Sequence, residues 1–331
     1  MKNPIKIAVY GTGSIGMRHL EVLKSMEGIE PIAISKRPGR FKNLEDMGYK
    51  TAPDLESAAR LGVELCIVAT DTACHLQDGL CALELGMDVL MEKPLAKNSL
   101  EGADLLKASK KMKKKIFVGC VLRQAQALNI FCEKLPQVGK IHSVHIECQS
   151  YLPDWRKDHP YRDSYSARKE EGGVLRDLIH EIDYAGSIFG WPEKLEGHLA
   201  NLGVLGIEAE ERADLRWETK EGVSVLICLD YLTRVPRRKM RACGEKGTIT
   251  WDGIQKTVLL TIIHQDPQLF EAPEENNALY AKQAMAFMEA CLQGSATKLA
   301  DGEEGFKALA ICDAARLSSQ SQKTEVVHYK N

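Results

Sequence analysis

The chain has no apolar run near the ~20 residues needed to cross a bilayer, so membrane-spanning classes fall away. It has almost no net charge. Against 46 Asp and Glu stand 44 Lys and Arg, leaving −2 at pH 7 and no general pull toward nucleic acid or an anionic membrane. None of its ten cysteines forms a CxxC pair. Cys74 and Cys81 are seven apart on one expected helix face, with no histidine to complete a metal cluster, so no metal is expected. Cys66, Cys228 and Cys312 sit inside apolar runs, the pattern of reduced, buried thiols in a cytoplasmic protein. Internal repeats and low-complexity linkers are lacking, and Lys2 and Asn3 lead straight into a strand rather than a secretory signal. What is left is a 331-residue globular chain, long enough for two domains with substantial cores.

Its organising stretch is KIAVYGTGSIGMRHL, residues 6–20. The apolar run from Ile5 to Tyr10 is cut by Gly11, Gly13 and Gly16, and an amphipathic segment follows from Ile15 to Lys24. That order is strand, glycine turn, helix. Gly11 permits the tight turn, Gly13 lets a pyrophosphate approach the backbone, and Gly16 allows close helix–strand packing. Thr12, Ser14 and Ile15 complete the expected cradle at the helix N-terminus, where unpaired N–H groups favour phosphate. The second strand, Pro31 to Ser35, ends in SKRPGR, about 20 residues on, where an acidic residue would take the ribose 2′-hydroxyl of NAD. Ser35, Lys36 and Arg37 stand there instead, with Arg40 close behind. A hydroxyl and cations suit a 2′-phosphate, which favours NADP(H), with NAD(H) as the second choice. A solvated basic turn is the plainer account of the same residues.

The segment ELCIVATDTACH, residues 64–75, is a strand running into a loop at Ala69, Thr70 and Asp71. Loops at the carboxyl ends of such strands face the ligand crevice. His75 is either close to the cofactor there or an ordinary helix-start residue. After helix 75–86, the strand Asp88 to Met91 runs into Glu92-Lys93-Pro94. A charged pair at a strand end before proline is a poor core pattern and a good active-site pattern, though a surface turn has the same composition. The run KASKKMKKK, residues 107–115, reads as the solvated end of helix 99–113, its lysines complementing the dipole rather than binding nucleic acid. Strand Ile116 to Val121 and Leu122-Arg123 close the alternating half of the chain.

Past a helix and a strand from Lys140 to Ser150, the pattern changes. YLPDWRKDHPYRDSYSARKEEGG, residues 151–173, is a long aromatic and basic loop of the kind that is usually functional. Trp155, Arg156 and Tyr165 are its candidate substrate contacts, and Arg156, Arg162 and Arg168 suggest a fork for a carboxylate or phosphate. Residues 173–189 read as one helix with an apolar stripe of Leu178, Ile182, Ala185 and Phe189. Asp177, His180 and Tyr184 share another face. Either they are simply polar and exposed, or the carboxylate holds the imidazole for proton transfer. Strands then run from 195 to 263 as one antiparallel or mixed sheet, with the arginines of TRVPRRKMR facing water. Helices at 277–292 and 302–317 and a strand from Glu325 to Tyr329 close the chain.

In this order the pieces resemble the Gfo/Idh/MocA oxidoreductases, the family of glucose–fructose oxidoreductase and inositol dehydrogenases. The resemblance runs through YGTGSIGMRH, VATDTACH, MEKPLA, VGCVLR, GGVLRDLIHEID, RACGEKGTITWD and EEGFKALAICDAARLS. It implies an α/β fold: an N-terminal Rossmann dinucleotide-binding domain, residues 1–122, and a C-terminal α+β domain, 123–331, with an open, mostly antiparallel sheet. It implies Lys93 and His180 as catalytic groups with Asp177 as the partnered carboxylate, all three touching substrate. Glu92, Lys93 and Arg123 are implied beside the cofactor, and Arg123 also beside the substrate. Two departures stand out. Asp177 and His180 are three apart where most members space them by four, and Asp71 replaces the usual proline after the threonine. The implied activity is NAD(P)-dependent oxidation of a secondary hydroxyl of a sugar or sugar derivative by a cytoplasmic homodimer or homotetramer. The loop and DLxHEID helix resemble a subgroup associated with surface-sugar or sialic-acid-like biosynthesis. Two other classes share the fold: a non-catalytic dinucleotide sensor, and an enzyme that oxidises its substrate transiently for elimination or epimerisation.

Overall fold

The computed structural model describes residues 4–155, 160–295 and 297–329. Strands Ile5–Tyr10 (β1), Ile29–Ile34 (β2), Lys50–Thr51 (β3), Leu65–Val68 (β4), Asp88–Met91 (β5) and Ile116–Val118 (β6) alternate with five helices. These are Ser14–Lys24 (α1), Phe41–Asp46 (α2), Leu55–Arg60 (α3), His75–Glu84 (α4) and Ser99–Met112 (α5). Next come Gln126–Lys134 (α6), Ile141–Gln149 (β7), Val174–Asp177 (α7) and Ile179–Phe189 (α8). A run of strands follows: Lys194–Ala200 (β8), Arg212–Glu218 (β9), Ser224–Asp230 (β10), Arg237–Gly244 (β11), Gly247–Asp252 (β12), Thr257–Ile262 (β13) and Gln268–Glu271 (β14). Asn276–Leu292 (α9), Ala300–Asp301 (β15), Gly302–Ser321 (α10) and Glu325–Val326 (β16) complete the order.

Two compact units result, residues 1–124 with 275–306, and 125–274 with 307–331. The chain thus leaves the first unit after 124 rather than 122. Residues 275–306, expected in the second domain, fold with the first. Their reason is apolar: Phe287 of α9 meets Phe117 edge-to-face at 6.1 Å, and Ala300 pairs antiparallel with Val118 to add an edge to β6.

The first unit holds a sheet in the order β15-β6-β5-β4-β1-β2-β3, with β1 to β6 parallel. Burial on both faces explains the unbroken apolar runs; every residue of β4, Leu-Cys-Ile-Val, is buried. Strand order reverses between β1 and β4, the place where such sheets open a ligand crevice at their carboxyl ends. Helix ends are capped from the sequence. Asp54 accepts the Ser57 N–H ahead of α3, and Asn98 accepts the Glu101 N–H ahead of α5. The basic run at the end of α5 is used structurally: Lys110 pairs with Glu303 at 2.6 Å and Lys114 with Asp88 at 3.8 Å.

The second unit is a mixed sheet, ordered β14-β13-β12-β11-β7-β10-β9-β8-β16. Only β7 and β10 run parallel among its described pairs. The segment expected as one helix over 173–189 is two. Leu178, at φ −99° and ψ 30°, leaves the helical range between α7 and α8. Nor is its polar face exposed: His180, Glu181, Asp183 and Tyr184 are all buried. Tyr184 turns from the expected Asp177–His180 face to meet Trp251 of β12 edge-on at 5.5 Å. Glu181 is fully buried, and Arg238 of β11 bonds its carboxylate at 2.8 Å. Here the expectation of water-facing arginines fails for Arg238, because a buried carboxylate draws the cation inward. Arg234 stays exposed, as expected, while stacking 3.5 Å from the Tyr151 ring. Removing one partner of a buried ion pair strands the other. Arg238→Met should therefore lower the unfolding free energy by about 3–5 kcal/mol. Exposed Arg237→Met should stay within ~0.5 kcal/mol, and denaturant unfolding of both variants checks the contrast.

Candidate functional site

At the switch point of the first sheet the glycine turn has the geometry its spacing predicts. Gly11 adopts φ +105°, in the region favouring glycine, and a Cβ there would overlap the Ala69 backbone. A Cβ on Gly16 would overlap the Gly11 carbonyl oxygen, so α1 can approach β1 only through glycine. Around Gly13 the space is open on the side where a Cβ would stand. No side chain caps α1 and its first turn holds no acid, leaving N–H groups beside exposed Gly13 and Ser14, with half-buried Ile15 next. A cleft of about 110 Å³ adjoins this turn, lined by Gly11, Thr12 and Gly13, by Ser35, Lys36, Arg37 and Arg40, and by Ala69, Thr70, Asp71 and Cys74. The cradle and its basic wall fit a dinucleotide phosphate.

The basic end of the cleft is organised by a residue the sequence did not flag. Asp78 of α4, buried, accepts Lys36 Nζ at 2.7 Å and the Thr70 hydroxyl at 2.6 Å. Burial pulls the Lys36 ammonium down, but the hydrogen bond and charge of Asp78 outweigh it and leave its pKa raised. The Ser35 hydroxyl accepts from the Thr12 hydroxyl at 3.0 Å and from the Arg37 N–H at 3.1 Å. Arg40 donates to the Thr12 carbonyl at 2.6 Å. His75 is buried, with Nδ1 2.8 Å from the Pro94 carbonyl oxygen and Nε2 3.1 Å from that of Thr70. Burial lowers its pKa against the pull of both carbonyls. It braces two loops from inside and is not among the residues lining this cleft.

Glu92, Lys93 and Pro94 follow β5. Glu92 is buried and accepts the Lys93 N–H at 3.3 Å, while His19 of α1 reaches its other oxygen at 2.7 Å. Arg123, expected beside cofactor and substrate, sends both terminal nitrogens to Glu304, at 2.8 and 3.0 Å. Its fork is therefore matched bidentately inside the unit.

In the second unit, Asp177 is buried and accepts the Tyr231 hydroxyl at 2.6 Å. Tyr231 was missed, although the alternation Val225, Ile227, Leu229 along β10 puts residue 231 on the same buried face. Trp155 meets the Tyr231 ring edge-on at 5.3 Å and donates to the Ser150 hydroxyl. Tyr165 lies close enough to raise the Tyr231 pKa, so it joins this cluster. His180 lies two residues past the Leu178 break, in the first turn of α8. Arg156 lies outside the described residues. Arg162 donates to the Leu205 carbonyl at 3.1 Å and Arg168 pairs with Glu171 at 3.3 Å. Arg162 and Arg168 thus each have a partner within the second unit, and neither contact bears on a substrate anion. Among the described residues no group of three or more metal-ligating side chains occurs, and no helix is long and apolar enough to cross a membrane.

Burial, then the charge and hydrogen bond of Asp177, holds the Tyr231 hydroxyl well above its ordinary pKa of about 10. Tyr184 is raised the same way, by burial and then Glu181. With folded values raised, the unfolded chain gives up these protons first. Stability is then fully present below about pH 10 and declines as pH rises beyond it. Buried Cys148 and Cys312, pushed up to about 12, act in the same direction. Tyr231→Phe should cost about 1.5–3 kcal/mol at neutral pH, as a bond to a charged acceptor does, and should flatten its share of the alkaline loss. Denaturant melts of both proteins on either side of about pH 10 check this, the difference cancelling the cysteines.

Residues 5–120 match the family model described as "Oxidoreductase family, NAD-binding Rossmann fold" (GFO_IDH_MocA). Residues 136–250 match "GFO/IDH/MocA C-terminal domain". Among curated relatives, 2,7-anhydro-N-acetylneuraminate hydratase of Mediterraneibacter gnavus is 26% identical over 206 residues. That match covers 59% of this chain and about half, 53%, of the relative. The scyllo-inositol 2-dehydrogenase (NADP(+)) of Bacillus subtilis is 24% identical over 86% of each chain. A solved levoglucosan dehydrogenase in complex with NADH superposes with TM-score 0.88 at 16% identity, covering 98% of this chain and 99% of its own, which shows a shared fold.

Proposed function

The chain belongs to the Gfo/Idh/MocA oxidoreductase family, and from that premise we propose that it transfers a hydride between NADP(H) and a secondary hydroxyl or ketone of a sugar or polyol. The observation that carries the reading is the glycine cradle of Gly11, Gly13 and Gly16 opening on a cleft walled by Ser35, Lys36, Arg37 and Arg40. Bound there, nicotinamide would supply the hydride donor or acceptor. The cradle N–H groups hold the pyrophosphate. Ser35 and the arginines favour a 2′-phosphate through charge-assisted hydrogen bonds. In this reading His180 takes the proton of the substrate hydroxyl, and the Lys93 ammonium stabilises the charge that builds on that oxygen. Asp177, fixed by Tyr231, orients substrate and imidazole. Relatives named as inositol dehydrogenases support a polyol or sugar as substrate.

Titration of the apo-protein with both reduced cofactors should give NADPH binding at least about tenfold tighter than NADH, and Arg37→Ala should erase most of that margin. Tighter NADH binding at physiological salt would overturn the NADP(H) assignment. A panel of inositols, anhydro sugars and acidic sugars, assayed by NADP⁺ reduction, tests the activity. On any substrate that reacts, His180→Ala should cut kcat/KM by roughly 10²–10⁴ with NADPH affinity intact, because the base meets the hydroxyl and not the dinucleotide. A variant within about threefold of the parent would remove His180 from the role.

A second reading is favoured by the hydratase relative. There the substrate would be oxidised only transiently, and product would form without net NADPH turnover. Product analysis of the same panel with catalytic cofactor separates the two.

A further inference from the structure

We propose that His19 is a positioning residue for Lys93, acting through Glu92, and that it ties the helix receiving the dinucleotide to the lysine turn. The proposal deepens the reading above, since it takes Lys93 as the cation at the reacting oxygen.

His19 lies on α1 and is 1% exposed. Its Nε2 stands 2.7 Å from Glu92 Oε1. A carboxylate can only accept, so the imidazole carries its proton on Nε2 and donates it to Glu92. Nδ1 is buried and has no hydrogen-bond partner among the described residues, so the hydrogen-bond anchor of the ring is Glu92. The ring is steadied by Tyr280 of α9, edge-on at 5.3 Å, whose own ring lies 5.4 Å from the Arg18 guanidinium.

Glu92 is pinned from every side. Its N–H donates to the Val68 carbonyl at 2.9 Å, and its Oε2 accepts the Lys93 N–H. Opposite stands Gly119, where even a Cβ would come within 3.1 Å of the carboxyl group. The carboxylate therefore has one seat, and His19 fills its remaining oxygen. The backbone of Lys93 hangs from that same group. His19 is five residues from Ser14, about 7.5 Å along the axis of α1. One short, rigid helix thus presents its N-terminus to the dinucleotide cleft and its second turn to the lysine turn. No other side chain bonded to Glu92 comes from the dinucleotide helix among the described residues.

The test compares His19→Leu, which keeps bulk and removes the donor, with His19→Gln, whose amide can reach the position of Nε2, and His19→Asn, whose donor falls a bond short. Hydrogen–deuterium exchange across residues 91–95, NADPH titration and turnover on any panel substrate are measured. His19→Leu and His19→Asn should speed exchange of the Lys93 amide at least about tenfold and lower kcat up to roughly 10²-fold, as small misplacements of a catalytic group do. KM and NADPH affinity should stay within about threefold, and His19→Gln should recover most of both losses. If His19→Leu fails to fold, the Gln–Asn contrast carries the test. Unchanged exchange at Lys93 in the Leu or Asn variant, or equal damage in Gln and Asn, would overturn the proposal. Should no substrate of the panel react, the reading above fails on its own, while exchange at Lys93 still decides this one.

Discussion

The meeting of β1 and α1 leaves no room for a side chain. Gly16 rests on the carbonyl of Gly11, and Gly11 in turn backs onto Ala69 at the end of β4. This three-way approach sets the angle at which α1 leaves the sheet. Its N-terminal N–H groups face the cleft, while its inner face, Leu20 and Leu23, joins the core shared by β1, β2, β4 and α9. His19, on the same face, then falls against Glu92. The phosphate-binding turn and the support of the lysine turn are thus consequences of a single contact that only glycine can make.

A different constraint governs the second unit, where the first two turns of the helix carrying His180 are buried on every face. Burying carboxylates is costly unless each is paired. Glu181 answers this with Arg238, reached across from β11, and Asp177 with the hydroxyl of Tyr231, at the end of β10. Two sheet strands therefore anchor two successive acids of α7 and α8, one on each side of the break at Leu178. Tyr184 against Trp251 then fixes the rotation of α8 about its axis. A helix held this way keeps its backbone fixed on both sides of His180.

What could be read in the chain was local. The glycine spacing, the apolar strands and the Glu92-Lys93-Pro94 turn each carry their signal within a dozen residues, and those features stand where the sequence puts them. Partners are not local. His19 meets Glu92 across 73 positions, Lys36 meets Asp78 across 42, Tyr231 meets Asp177 across 54, and Arg123 meets Glu304 across 181. Arg123 is placed beside the ligand by the resemblance alone, which does not name the carboxylate that neutralises it. The carboxylate that does so arrives with the returning segment, 275–306. Arg238 is expected in water from its place in a basic strand, and its partner Glu181 lies 57 positions away. The break at Leu178 was hidden because Val-Leu-Arg-Asp-Leu-Ile-His holds no glycine or proline to mark it, so only the tertiary setting divides it.

The dinucleotide cleft shows how sign and shape are separated. Its Asp78 carboxylate lies below the surface, holding Lys36 from the end of β2 and Thr70 from the end of β4. One buried charge therefore fixes the spacing of two loops that a ligand must enter between. What the ligand meets is different: the Ser35 hydroxyl, Arg37 and Arg40, with Asp71 at the far loop. Were the acid at the strand end itself, it would repel a 2′-phosphate and accept a 2′-hydroxyl. Placed one layer deeper, on α4, it satisfies Lys36 without crossing the surface, and the outer wall stays basic. The cost is that Lys36 is partly neutralised, so the proposed preference for a 2′-phosphate would rest mainly on the hydroxyl and guanidinium groups, whose geometry is more selective than a point charge.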